Sequence, residues 1–153
     1  MEENLRFYSY IGEKFQLKQQ DIRTYSPLAL AYIGDGVYEL IIRSILVGKG
    51  NCPVNKLHRK SSSLVKASAQ AELIHNIMED LTEEEKTIYK RGRNAKSYTT
   101  AKNATMIDYR TATGLEALVG YLYLTEQMDR LLILIKTGLS RMGEGTWNTK
   151  NLQ

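Results

Sequence analysis

Apolar positions recur at helical spacing through most of the chain, and where the spacing stops, helix caps and breakers stand. Ser26 followed by Pro27 reads as an N-cap with proline at the first helical position. From there Leu30, Ile33, Val37, Leu40, Ile41 and Ile45 mark one face of a helix running to about Val47, with Gly48 and Gly50 as the stop. Pro53 opens the next element. Leu57, Leu64, Val65, Leu73, Ile74 and Ile77 predict one bent helix or two short ones between Val54 and Met78, with Ser61-Ser62-Ser63 as the expected break. Thr82 and Glu85 form a capping-box pattern, and that helix is expected to stop at Gly92. Residues 93–104 are polar and basic and read as a loop. Two further helices follow, from about Thr105 or Thr111 to Leu124 and from about Glu126 to Arg141. The expected fold is all-α. It has a tyrosine-containing lead-in over residues 1–25, a helical body over 26–141 and a frayed tail over 142–153 that carries Trp147.

Composition narrows the class. With 153 residues, 42% of them apolar and 25% charged, one globular domain fits the length and a sizeable core is available. Only 2 prolines and 11 glycines interrupt the chain, which favours long helices. The single cysteine, Cys52, excludes an internal disulfide and a cysteine-based zinc site; a buried thiol in a reducing cytoplasm is the expectation. No apolar run approaches the ~18 residues of a membrane span, and the first residues are acidic, so neither a membrane anchor nor a secretory leader is expected.

The net charge of +4 conceals its distribution. Residues 49–70 hold Lys49, Lys56, Arg59, Lys60 and Lys66 with no acid, a local +5. Residues 86–110 hold Lys86, Lys90, Arg91, Arg93, Lys96, Lys102 and Arg110 against Asp108, a local +6; the remainder of the chain carries −7. Lys86 and Lys90 complement a helix dipole. No helix end accounts for the cations from Arg93 to Lys102. Asn94, Ser97, Thr99, Thr100 and Asn103 add neutral donors among them, so this stretch reads as a polyanion-binding loop.

Two carboxylates stand in apolar helical surroundings. Asp35 lies within Gly34-Asp35-Gly36, with Ala31, Tyr32, Tyr38 and Glu39 as its helical neighbours. A carboxylate buried there needs a cation or hydrogen-bond donors, and the flanking glycines let another backbone or a ligand approach. The alternative is a Gly-Asp-Gly turn that breaks the helix. Glu116 repeats the pattern, with Ala112, Thr113, Val119 and Gly120 around it. If the two acids meet, they make an oxygen-rich site for a hard cation such as Mg²⁺.

At these two segments the chain resembles the catalytic domain of the ribonuclease III family. The family's signature helix reads Glu-x-x-Glu-Phe-Leu-Gly-Asp, and its later helix reads Asp-x-x-Glu-Ala-Leu-hydrophobic-Gly. Asp35 matches the last aspartate of the first motif and Glu116 the glutamate of the second. Leu28 and Ala31 stand at the earlier glutamates and Thr113 at the second motif's aspartate, a reduced pattern similar to the shorter Mini-ribonuclease III group. Leu57-His58-Arg59-Lys60-Ser61-Ser62, leading to Gln70-Ala71-Glu72, and Lys90-Arg91-Gly92-Arg93-Asn94-Ala95-Lys96 resemble that group as well. The likeness spans about residues 26–140.

The resemblance implies a helical endonuclease domain that works as a homodimer on double-stranded RNA, a 23S ribosomal RNA precursor stem among its targets, with room for a ribosomal protein as helper. It further implies that no separate RNA-binding domain takes part. In that reading Asp35 and Glu116 hold Mg²⁺ for phosphodiester hydrolysis to 5′-phosphate and 3′-hydroxyl ends. Arg91, Arg93, Asn94, Lys96 and Lys102 contact RNA, with Lys60 and Arg110 behind them. Glu39 reads as a salt-bridged or solvated acid and Asp108 as a loop cap. Tyr32, Tyr38, Tyr121 and Tyr123 are assigned to core or dimer packing. His58 and His75 lack the His-Asp pairing of helical metal phosphohydrolases. A non-catalytic helical RNA-binding or ribosome-assembly module is the competing expectation.

Overall fold

The computed structural model describes residues 6–95 and 105–143. Among them are seven α-helices: α1 Phe7–Lys14, α2 Pro27–Gly48, α3 Val54–Val65, α4 Ala67–Ile77, α5 Glu83–Asn94, α6 Met106–Leu124 and α7 Met128–Ser140. Short 3₁₀ turns cover Ile22–Thr24 and Met78–Asp80. The all-α expectation holds, and no described helix is long and apolar enough to cross a membrane.

The caps act where the sequence places them. Ser26 accepts from the Ala29 N–H at 3.1 Å and starts α2. Thr82 and Glu85 form the full reciprocal box of α5, worth on the order of 1 kcal/mol for such an end. Thr105 caps α6 through the Asp108 N–H at 3.0 Å. Asp108 therefore lies in the first turn of α6, where its charge suits the positive helix end, and not in a loop.

α6 is the central element. From Thr111 to Tyr123 every residue except Glu116 is buried, because α2, α4, α5 and α7 pack around it. The core gathers Ile42, Leu73, Ile74, Ile77, Leu115, Leu118, Leu122, Leu131 and Leu139, each fully enclosed and each worth roughly 1.5–3 kcal/mol of burial. α2 and α6 cross at glycine. A Cβ built on Gly34 would stand 1.7 Å from the backbone oxygen of Glu116, and one on Gly120 would stand 2.0 Å from that of Leu30. The two backbones thus touch at the level of the two acids.

One buried acid is structural. Glu85, 4% exposed, receives Arg130 Nε at 2.9 Å and Nη2 at 2.8 Å as well as the Thr82 N–H at 2.9 Å. The Arg130 hydrogen bonds foremost hold its carboxyl below the usual range.

Several expectations are corrected. The lead-in contains α1, whose Tyr8 ring sits 5.5 Å from that of Tyr123. The helix break falls at Lys66 (φ −63°, ψ 154°) and not at the serines. Ser61 and Ser63 return their hydroxyls to the His58 and Lys60 carbonyls, which lets the helix run through them. α5 continues past Gly92 to Asn94 because Gly92 lies flat against α6, where a Cβ would meet Ala117 at 2.6 Å. The polar run therefore begins inside a helix, and its part over 96–104 falls outside the described residues, as does Trp147. Cys52 is half-buried rather than buried. Tyr38, Tyr121 and Tyr123 are core residues, whereas Tyr32 is 84% exposed.

Candidate active site

Gly34-Asp35-Gly36 makes no turn, and α2 runs through it unbroken. The helical continuity carries Asp35 to the face that meets α6, and the bare Gly34 closes the gap to the backbone of Glu116. The two acids come together: the Glu116 carboxyl hydrogen-bonds Asp35. Their surroundings differ. Asp35 is exposed, so the desolvation cost expected for it does not fall there; Glu116 is only partly accessible. Burial, then the hydrogen bond to Asp35, then the Asp35 charge push the Glu116 carboxyl up to about 8. Such a pair prefers to share a proton or a cation over facing each other ionised.

A third side chain completes this layer. Gln70, on α4, is 4% exposed. Its Nε2 donates to the Val65 carbonyl at 2.8 Å, and the amide stands near enough to the Glu116 carboxyl to oppose the upward shift. Gln70 Oε1 is buried without a partner. Beside it Tyr38, three residues after Asp35, donates from its hydroxyl to the Leu64 carbonyl at 3.1 Å. Burial first, then the Glu116 charge, raise the Tyr38 hydroxyl above its ordinary value.

Gln70 has no place in the sequence reading as a site residue. The signal available was a polar side chain between Ala69 and Ala71 on the stripe continued by Leu73 and Ile74. In a buried stripe such a group needs a partner.

The donor set fits a hard divalent cation: two carboxylates in contact, both oxygen donors. Among the described residues no cluster of three His, Cys, Asp or Glu side chains occurs, so Asp35 and Glu116 would hold the ion as a pair. Glu39 is spent on Arg43 at 3.1 Å.

The basic candidates divide into groups. Arg91, Arg93 and Asn94 cluster at the end of α5, clamped through Gly92 against Thr113, Gly114 and Ala117 of the helix that carries Glu116. Arg93 lies over the Tyr89 ring at 5.6 Å, and its Nε reaches Asn94 Oδ1 at 3.3 Å. Arg110 is exposed on α6, two turns before Glu116. Lys60 stands apart on α3. Partial burial and then the Lys60 charge lower the Lys49 ammonium, which puts these two cations near each other. Lys96 and Lys102 lie outside the described residues.

Comparison with known proteins agrees with this geometry. The Ribonuclease III domain family model matches residues 28–127. Mini-ribonuclease 3 of Clostridium tetani is 46% identical over 140 residues, 91% of each chain. Mini-ribonuclease 3 of Enterococcus faecalis is 50% identical over 127 residues, 82% of this chain and 96% of its own. A crystal structure of a Fusobacterium nucleatum protein superposes with a TM-score of 0.69 at 35% identity, covering 77% of this chain and 94% of that one. With a family model over the helical body, relatives matched along most of their length and the motif carboxylates joined at the α2–α6 crossing, the chain belongs to the Mini-ribonuclease III branch of the ribonuclease III family and is an endoribonuclease, a hydrolase acting on RNA.

Proposed function

We propose that the protein hydrolyses double-stranded RNA with Mg²⁺ held by Asp35 and Glu116, leaving 5′-phosphate and 3′-hydroxyl ends, in the maturation of 23S ribosomal RNA. The observation that carries this reading is the contact between the two motif acids at a glycine-tight helix crossing. A bound Mg²⁺ lowers the pKa of water and offsets charge on a phosphate. The chain supplies the rest. Asp35 faces solvent, where a phosphodiester can approach. Glu116 is fixed from the enclosed side by α6, and a cation held there would favour its ionised form. The basic end of α5 lies within a turn of Glu116 along α6, so Arg91, Arg93 and Asn94 can hold backbone phosphates and 2′-hydroxyls of an A-form duplex. Lys96 and Lys102 continue that run in sequence, while Lys60 and Arg110 extend the basic surface.

Homodimer formation is supported by α2 itself. Leu28, Tyr32, Leu40 and Val47 are exposed large apolar side chains on the helix that carries Asp35, a stripe that a monomer leaves wet. Two copies joined there would bring one site to each RNA strand. A cytoplasmic setting and a ribosomal protein helper belong to the same reading.

The test is cleavage of a perfectly paired RNA with Mg²⁺, with Asp35→Asn and Glu116→Gln alongside. The parent is expected to cut, and each variant to fall by more than about a hundredfold, beyond what loss of an outer partner of a metal ligand costs. An intact duplex over a range of Mg²⁺ and salt, with the parent folded, would favour the non-catalytic RNA-binding module.

A further inference from the structure

We infer that Gln70 is a positioning residue of the metal site: its Nε2 orients the Glu116 carboxylate, and its unpartnered Oε1 accepts a hydrogen bond from the hydration shell of the cation. The inference rests on the metal reading above and adds to it a side chain outside the carboxylate pair.

The break between α3 and α4 leaves two carbonyls without helical donors. Lys66 adopts extended backbone, so the Leu64 and Val65 carbonyls lose the N–H groups that a continuous helix would have offered four residues on. Both are buried-side acceptors that need donors, and both donors come from the site. Tyr38 reaches the Leu64 carbonyl at 3.1 Å, and Gln70 Nε2 reaches the Val65 carbonyl at 2.8 Å. The break therefore ties α3 and α4 to the carboxylate layer.

Satisfying Val65 requires only one of the two protons on Nε2; the other is left to turn to the nearby Glu116 carboxyl, whose upward shift the amide opposes. The same bond settles which way round the amide stands, because an oxygen turned toward the Val65 carbonyl would meet a second acceptor. Oε1 is thereby the amide atom turned away from Val65, buried in a residue that is 4% exposed, with no partner. An orphaned acceptor of this kind costs about 1–3 kcal/mol. A purely structural role does not explain why a polar group is kept there, since Val65 alone could be served by a donor without a second lone-pair atom. A hydrated cation on Asp35 and Glu116 supplies the missing donor: ligating carboxylates are ordinarily hydrogen-bonded by a further side chain, and small hard cations keep several waters.

The test is Mn²⁺ binding to the RNA-free full chain, followed by electron paramagnetic resonance of the free ion, for the parent and for Gln70→Met, which keeps length and apolar volume but neither hydrogen bond. The dissociation constant is expected to rise about tenfold. Duplex cleavage should show a matching fall in kcat at subsaturating Mg²⁺ with little change in KM, because Gln70 does not touch RNA. A folded Gln70→Met protein that binds Mn²⁺ like the parent, beside Asp35→Asn and Glu116→Gln variants that lose it, overturns this inference alone. If those two variants also bind like the parent, the metal reading falls and takes this inference with it. Should Gln70→Met not fold, the Gln70 side-chain amide signals of the ¹⁵N-labelled parent decide. They are expected to move on Mg²⁺ addition and to stay still in Glu116→Gln; signals unmoved in the parent overturn the proposal.

Discussion

Glu85 and Glu116 are both acids drawn out of water by the packing of α6, and they are answered in opposite ways. Glu85 meets Arg130 and its own capping box, and its carboxyl is held low. Glu116 meets a second acid, and its carboxyl is pushed up to about 8. One arrangement is complete in the chain alone and serves the fold. The other leaves two acids facing each other, the arrangement on which the proposed cation site rests. Burial by itself does not distinguish a structural acid from a functional one; the charge of what it faces does.

The contrast can be broken most forcefully by removing the cation that answers one acid and, at the other, the acid itself. Arg130→Met leaves Glu85 buried without its cation and should cost about 3 kcal/mol of unfolding free energy. Glu116→Gln should leave the metal-free protein at neutral pH at least as stable as the parent, since it removes a carboxyl that burial and Asp35 disfavour. Urea unfolding of both variants in a chelator checks this, and equal destabilisation by the two would erase the distinction.

The crossing that brings the acids together makes a comparably large prediction. Gly34→Ala places a Cβ against the Glu116 backbone and should cost about 3 kcal/mol, the upper range of overpacking. Gly36→Ala, two residues on, meets nothing within 4 Å and should gain up to about 1 kcal/mol of helix propensity. Melting of the two variants at a concentration where the protein is monomeric separates the positions.

The two acids are also expected to answer pH with opposite signs. Glu85 is lowered in the fold, so its stabilisation is present above the ordinary glutamate range and is lost as pH falls through its folded value. Glu116 is raised, so its contribution is full below the unfolded value of 4.5 and disappears as pH climbs to about 8. In chelator, the parent's stability should therefore decline between those limits by a component that Glu116→Gln removes. Identical slopes for parent and variant would contradict the raised carboxyl.

Much of this was legible in the sequence. Ser26-Pro27, Thr82-Glu85 and Thr105 act through their own neighbours, so local chemistry sets the helix starts. Asp35 and Glu116 were visible because an acid in an apolar helix is a conflict that something must resolve. Their meeting was not visible. It depends on Gly34 and Gly120 facing backbone on another helix, and nothing in the spacing distinguishes Gly34 from the open Gly36. The α3–α4 break was misplaced because Lys66 carries no breaker chemistry, while the serines that do carry it satisfied themselves within the helix. Gln70 was missed for a related reason: its role follows from carbonyls that lose their donors only because the break falls at Lys66.

In the proposed function Asp35 and Glu116 act as one cation site and not as two separate contributors. The direct measurement is the rate of Mg²⁺-dependent cleavage of a paired RNA by Asp35→Asn, Glu116→Gln and the double variant. Each single change is expected to cost nearly as much as both together, because half a site holds no ion. Losses that multiply in the double variant, or a single variant that cuts like the parent, would contradict it.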